Sequence, residues 1–430
     1  MASTVNESIE TQLFINGEFR ASSSNKAFEV VYPYTKEVVA QGRGGCRYRC
    51  QHSLPRLARS GHRQARRIPT QTISALLESN NELAKLETLC TGRPVSQFVD
   101  AGLAAESFAY FAGGGWTAQG TASLNTPDHL NLTVKQPYGV VALIIPWNFP
   151  LIILPGKWRQ RWQQASLYVA KLIEKAGFPP GVVNIISGFG NPTGAALASH
   201  MAVRCISFTG STVTGQKIQE AAAKSSMKHV HMELGGKSPA IFFEDADLET
   251  AVAQTQFGIQ FNSGQVCAAN SRIYVHESVA KQFIKLFCEK FAAVQMGDPL
   301  DPATSHGPQI DLLQYNWIKE YLAIGKKDGT LRLGGDANDG FFVRPTIFEG
   351  VGEDLRLMRA EVFGPVVVIN TFFTETEAIE KANNSEFGLY AAVFTKDLDR
   401  AVRLAKALDA GTVGVNCTSP TNARDTAFGG

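Results

Sequence analysis

The sequence predicts an α/β protein built from two units, each with a largely parallel sheet. Three observations point there. Short apolar β-rich runs alternate with helical stretches, the alternation resumes beyond residue 235, and 430 residues favour two or three lobes over one core. In the first unit, GVVALIIP (139–146) reads as a strand ending at a proline turn. VVNIIS (182–187) and CISFTG (205–210) read as strands closed by glycine, with helices expected over 165–177, 192–201 and 213–224. In the second unit, helices are expected over 247–262, 277–293, 311–327, 375–383 and 397–409, and strands over 271–275, 365–372, 390–394 and 412–416. The chain shows no internal repeat and no low-complexity tract.

Composition excludes several classes. The chain is 44% hydrophobic and 19% charged, with a formal net charge of +2, so no global field invites nucleic acid or an anionic membrane. The nearest approach to a spanning segment, 139–156, is interrupted by Pro146, Asn148, Pro150 and Pro155. The start, MASTVNESIETQ, is polar and acidic, unlike a secretory or transit peptide, and a cytoplasmic protein is expected. Seven cysteines, an odd number widely scattered, argue against a disulfide framework. Cys46 and Cys50 lack a second pair or a histidine cluster at zinc spacing, so no metal site is expected.

Six motifs could carry chemistry, and most also have a plain structural reading. Cys267 in F-N-S-G-Q-V-C-A-A-N-S-R (261–272) should follow a helix and precede a strand, with Gly264 giving the chain room to turn. As a nucleophile it would need exposure and a lowered pKa; the alternative is a buried structural cysteine. Glu233 in M-E-L-G-G-K-S-P (232–239) could act as a base, and the two glycines after it would let backbone approach a ligand closely; the alternative is a solvated hinge. Asn148 in I-P-W-N-F-P (145–150) offers a non-titrating donor suited to an oxyanion, or a turn asparagine. F-T-G-S-T-V-T-G (208–215) closes a strand and opens a helix whose N–H groups could meet a pyrophosphate, though it is not a G-x-G-x-x-G fingerprint, and S-G-F-G-N-P-T-G (187–194) is a second glycine-rich strand-to-helix turn. Glu361 and Phe363 in A-E-V-F-G-P-V (360–366) could meet ribose hydroxyls and a nicotinamide ring, or simply connect helix to strand.

Taken in order, P-W-N-F-P, F-T-G-S-T, E-L-G-G-K-S-P, G-Q-x-C, E-V-F-G-P and F-G-G resemble the NAD(P)-dependent aldehyde dehydrogenase superfamily. G-D-P-L-D-P (297–302), F-G-L-Y-A-A-V-F-T (387–395) and G-T-V-G-V-N (411–416) agree, and the resemblance covers 10–40, 72–153 and 167–430. It implies a Rossmann-like cofactor domain (1–117 and 139–234), a bridging oligomerisation hairpin (118–138) and an α/β catalytic domain (235–430). It further implies oxidation of a small-molecule aldehyde to an acid through a thioester on Cys267. Asn148 and the Cys267 N–H would hold the oxyanion, and Glu233 would activate the deacylating water. The implied cofactor is NAD, with NADP as the alternative, contacted by Trp147, Gly190, Gly194, Gly210, Ser211, Leu234, Glu361 and Phe363.

Three stretches depart from the family pattern, as in an aberrant or truncated copy. The arginine-rich 42–67 stands where relatives have a helix, and lacks helical or strand periodicity. The tryptophan- and lysine-containing 154–166 replaces a strand and a ribose-binding lysine. The sequence ends at Gly430, before the terminal strand through which relatives associate. These departures predict weakened NAD binding and weakened homo-oligomers, the mark of a catalytically impaired relative. Nucleic-acid binding through the eight arginines of 42–67 is the remaining reading, set behind because that segment has no aromatic stacking pattern.

Overall fold

The computed structural model describes residues 11–22, 27–43, 62–114, 119–153, 163–338, 340–418 and 425–429. Two short antiparallel pairs begin it: β1 (Leu13–Ile15) with β2 (Glu18–Arg20), and β3 (Ala27–Val31) with β4 (Val38–Arg43). The helices His62–Glu78, Asn80–Thr91 and Asp100–Gly114 follow. The segment expected to lack periodicity is therefore ordered at both ends: β4 runs into it and a helix starts at His62, while 44–61 lie outside the described residues. The helix is held from its far end, where Thr72, Ala75 and Leu76 are buried.

A two-stranded hairpin, β5 (Ala122–Ser123) with β6 (Asn131–Leu132), falls within the expected 118–138 bridge. A three-stranded parallel sheet then forms from β7 (Val140–Ile144), β8 (Val203–Thr209) and β9 (His229–Glu233), in that spatial order. Helices Gln163–Lys175, Ala195–Ser199 and Thr212–Ala223 occur where helices were expected; 154–162 lie outside the described residues.

The expected strand at 182–187 does not form. Ile185 makes only an isolated antiparallel bridge to Phe14, with N–H···O distances of 3.0 and 2.8 Å. An apolar run becomes a strand only where a partner of matching length lies beside it, and β1 offers three residues. Ile185 is nonetheless buried, in the cluster that holds Phe14, Leu76, Leu83 and Leu167.

The second sheet has seven strands in the order β12-β13-β14-β11-β10-β15-β16. These are β10 (Pro239–Phe242), β11 (Arg272–His276), β12 (Thr330–Leu333), β13 (Thr346–Glu349), β14 (Val366–Phe372), β15 (Tyr390–Phe394) and β16 (Thr412–Val415). All pairings are parallel except β12 with β13. Alternate residues feed two separate cores: Ile241, Tyr274, Val368 and Val393 on one face, Phe242, Ile273, Val367 and Phe394 on the other. Burial on both faces explains why these strands read as continuous apolar runs. The helices Leu248–Gln260, Glu277–Ala292, Leu312–Asp328, Glu375–Asn383 and Leu398–Ala407 cover them, close to the expected bounds.

His306 is fully buried, with Nε2 2.9 Å from Val343 O and Nδ1 without a partner. Burial lowers its pKa from 6.5 to about 4. An unfolded chain takes up this proton below its ordinary value while the folded one does not, so stability is complete above about pH 6.5 and is lost as pH falls towards about 4. Urea midpoints at about pH 7 and about pH 5 should therefore differ more for the parent protein than for His306→Gln. Equal pH slopes in the two proteins would remove His306 as the cause.

Candidate active site

The carboxyl ends of the three-stranded sheet face the loops that lead into the seven-stranded one. Open parallel sheets place ligands at such carboxyl ends. β7 runs directly into Ile145–Pro150, β8 into Gly210, and β9 ends at Glu233, whose carbonyl accepts the Gly210 N–H at 3.1 Å. From the other side come Leu234–Ser238 before β10, the Cys267 loop before β11 and Glu361–Pro365 before β14.

The Cys267 loop is shaped by an unusual backbone. Asn262, Ser263 and Gly264 have φ of 50°, 54° and 80°, three left-handed residues in a row. The two non-glycine residues cost about 1–3 kcal/mol each, which neighbours must offset. Ser263 Oγ donates to Gly307 O at 2.8 Å, and Gln309 Nε2 donates to Ser263 O at 3.2 Å. Gln265 Oε1 accepts the Ile310 N–H at 3.0 Å, while its Nε2 donates to Asn262 O at 3.0 Å. Gly264 has a second constraint: a Cβ there would lie 2.1 Å from the carbonyl carbon of Gly364. The thiol loop and the Glu361–Phe363 loop thus touch backbone to backbone.

Asn148 is 3% exposed, and its Nδ2 donates to Gln265 O at 2.9 Å, two residues before Cys267. Asn262 Nδ2 returns a bond to Asn148 O at 3.2 Å. The two glycines after Glu233 are filled by the protein itself rather than left open for a ligand. A Cβ on Gly235 would lie 2.4 Å from Glu361 Oε2, and one on Gly236 2.2 Å from Cys267 O. Gly236 N–H also donates to Glu361 Oε1 at 3.0 Å. Cys267, Glu233 and Glu361 are in this way drawn around one diglycine.

The thiol does not have the expected lowered pKa. Burial raises it well above 9.0, and the negative charge of the nearby Glu233 carboxylate raises it further, with a smaller contribution from Glu361. The residue keeps partial exposure, but the sulfur is densely surrounded and its charged neighbours are acids. Burial lifts the Glu361 carboxyl to about 7, and the same cause, with Arg272 nearby, brings the fully buried Lys237 down to about 7. Lys237 was not singled out from sequence; a lysine after two glycines carries no pattern that reveals burial.

The remaining expected residues fall into two places. Trp147 and Phe363 meet edge to face, centroids 5.2 Å apart, beside the thiol loop. Phe363 has φ 56°, and Gln314 Nε2 clamps it by donating to Val362 O at 3.1 Å and Phe363 O at 2.9 Å. Ser211 is the N-cap of Thr212–Ala223, yet its Oγ bonds Thr214 Oγ1 at 3.0 Å and no side chain caps the helix amides. Leu234 packs into the β7–β8 core. Gly190 and Gly194, by contrast, bound a separate turn that leads into Ala195–Ser199. Among the described residues, no group of three or more histidine, cysteine or acidic side chains could hold a metal ion.

With this geometry in hand, known proteins can be set beside it. The sequence model of the aldehyde dehydrogenase family matches residues 19–430. Retinal dehydrogenase 2 of Gallus gallus is 41% identical over 449 residues, 98% of this chain and 86% of that protein. Cytosolic aldehyde dehydrogenase 1 of Rattus norvegicus is 40% identical over 95% of this chain and 87% of that protein. The crystal structure of PnpE from Pseudomonas sp. WBC-3, in complex with nicotinamide adenine dinucleotide, superposes with a TM-score of 0.93 at 33% identity, covering 98% of this chain and 92% of that one.

The thiol's electrostatics can be checked directly. Alkylation of Cys267 by iodoacetamide should rise with pH to a midpoint above 9, and Glu233→Gln, which removes a negative neighbour, should move that midpoint down. An unmoved midpoint would show that burial alone sets the thiol pKa.

Proposed function

Because the chain belongs to the aldehyde dehydrogenase family, whose reaction oxidises an aldehyde to a carboxylic acid with a nicotinamide cofactor, we propose that Cys267, Glu233 and Asn148 carry that reaction here. The observation that supports this most is that the Cys267 and Glu361 loops close on the diglycine that follows Glu233, while Asn148 bonds the Cys267 loop two residues before the thiol.

The raised thiol pKa sets the first task. Glu233 takes the proton from Cys267 Sγ, and the sulfur forms a bond to the aldehyde carbon. The negative charge moves to the carbonyl oxygen, which the Cys267 N–H and Asn148 Nδ2 stabilise. One Nδ2 hydrogen is committed to Gln265 O, which orients the other. When bound, the nicotinamide supplies the hydride acceptor, and the acyl group remains on sulfur as a thioester. Glu233 passes its first proton to solvent and then takes one from water, whose oxygen bonds to the thioester carbon; the carbon–sulfur bond breaks, the acid is released, and the departing thiolate takes the proton back from Glu233.

The residues present fit such a cofactor. Trp147 and Phe363, packed on each other, would lie beside the nicotinamide, and the Glu361 carboxyl, its pKa raised to about 7, would meet ribose hydroxyls. Gly210, Ser211 and the uncapped amides of Thr212–Ala223 would meet the pyrophosphate, with Leu234, Gly190 and Gly194 completing the contacts. The proposed division is a cofactor unit at 1–117 and 139–234, a bridge at 118–138 and a catalytic unit at 235–430. The substrate is a small-molecule aldehyde. Among the described residues no helix is long and apolar enough to cross a membrane.

Cys267→Ala should abolish aldehyde oxidation; retained turnover would sink the nucleophile assignment. Glu233→Gln should lose steady turnover more than the initial burst of NADH, because deacylation requires the base while some thiolate still forms. Loss of both in equal measure would give Glu233 a structural role. Calorimetric titration should show NAD binding weaker than in full-pattern relatives, and low-micromolar affinity would show that the departures at 42–67 and 154–166 cost nothing.

A further inference from the structure

Arg93 is a cation closed off from water. It follows the helix Asn80–Thr91, where Gly92 turns the chain at φ 75° and its N–H bonds Thr88 O. The Arg93 side chain is 1% exposed, with Nη2 2.6 Å from Glu87 Oε1 and 2.8 Å from Asp100 Oδ2, carboxyls that are themselves 1% and 0% exposed. Buried ion clusters of this kind are poor stability devices, since apolar replacements are often as stable. The surroundings of Arg93 suggest a use other than stability.

Its guanidinium lies over the rings of Phe149 at 5.0 Å, Phe98 at 5.7 Å and Phe261 at 5.9 Å. Phe149 follows Asn148, and Phe261 opens the left-handed turn that leads to Cys267. The two rings stack with centroids 5.7 Å apart and planes 9° from parallel. Gln97 grips the same turn: its Oε1 accepts the Asn262 N–H at 2.9 Å, and its Nε2 donates to Ser305 O at 2.8 Å.

We propose that Arg93, fixed by Glu87 and Asp100 and aided by Gln97, is a positioning residue that sets the separation between the Asn148 amide and the Cys267 thiol through Phe149 and Phe261. The inference rests on the roles given to Cys267 and Asn148 above. A planar guanidinium can pair with two carboxyls and lie against aromatic rings at once; a lysine ammonium keeps the charge but not the plane.

The test is steady-state kinetics of Arg93→Met, Arg93→Lys and Gln97→Ala, with kcat expressed per active site titrated by the NADH burst. Arg93→Met should lower kcat about 100-fold, as displacement of a catalytic group by about 1 Å does, with the aldehyde KM held within about twofold. Arg93→Lys should recover about tenfold of that loss, and Gln97→Ala should lower kcat about tenfold. A purely structural role would reduce the number of titrated sites and leave kcat per site unchanged, which overturns the proposal. If Arg93→Met does not fold, Arg93→Lys and Gln97→Ala decide, and parental kcat per site in both overturns it. Cys267→Ala serves as the control: turnover there defeats the reading of the site, whereas an inactive Cys267→Ala beside fully active Arg93 variants defeats only the positioning role.

Discussion

The hydrogen bond from Asn148 Nδ2 to the carbonyl of Gln265 joins loops from two separate sheets at the point where they meet. Asn148 belongs to the loop that leaves β7; Gln265 belongs to the loop that enters β11. Neither sheet alone contains a reaction centre. The left-handed turn at Asn262–Gly264, the packing of Gly264 on Gly364 and the Ser263 and Gln309 bonds all hold Gln265 where Asn148 can reach it. A buried amide left without this partner would cost about 1–3 kcal/mol, which couples the local geometry to global stability.

Electrostatics at this junction are set by crowding more than by pairing. Cys267, Glu233 and Glu361 gather around Gly235 and Gly236 because no side chain there keeps them apart. Three acidic groups in a confined space hold one another's protons, and the nearest buried cation, Lys237, is itself pushed towards neutrality.

Much of this was legible in the amino-acid sequence. GVVALIIP and CISFTG became strands that pair in parallel with each other, their apolar β-rich runs being a local property, although β7 lies at the sheet edge and leaves Val141 exposed. Asn148 and Cys267 were legible as motifs, and the structure brings their loops together. VVNIIS was misread because strand formation depends on a neighbouring strand, and the segment makes a single backbone bridge, to Phe14. The thiol's electrostatics were misread for a related reason: Glu233 lies 34 residues before Cys267 in the chain, and only folding makes it a neighbour. Arg93 left no sequence signal, since an arginine after a glycine looks like a solvated helix end until the aromatic rings of Phe149 and Phe261 close over it.

The crowding of the Cys267 thiol beside Glu233 also bears on durability. Peroxides and other adventitious oxidants attack thiolates, and a sulfur kept protonated by its surroundings stays off the path to sulfenic and sulfinic acids. An enzyme that carried a permanently ionised cysteine would be exposed to such damage whenever it stood idle. Here burial and a neighbouring carboxylate hold the Cys267 sulfur in its protonated, less oxidisable form.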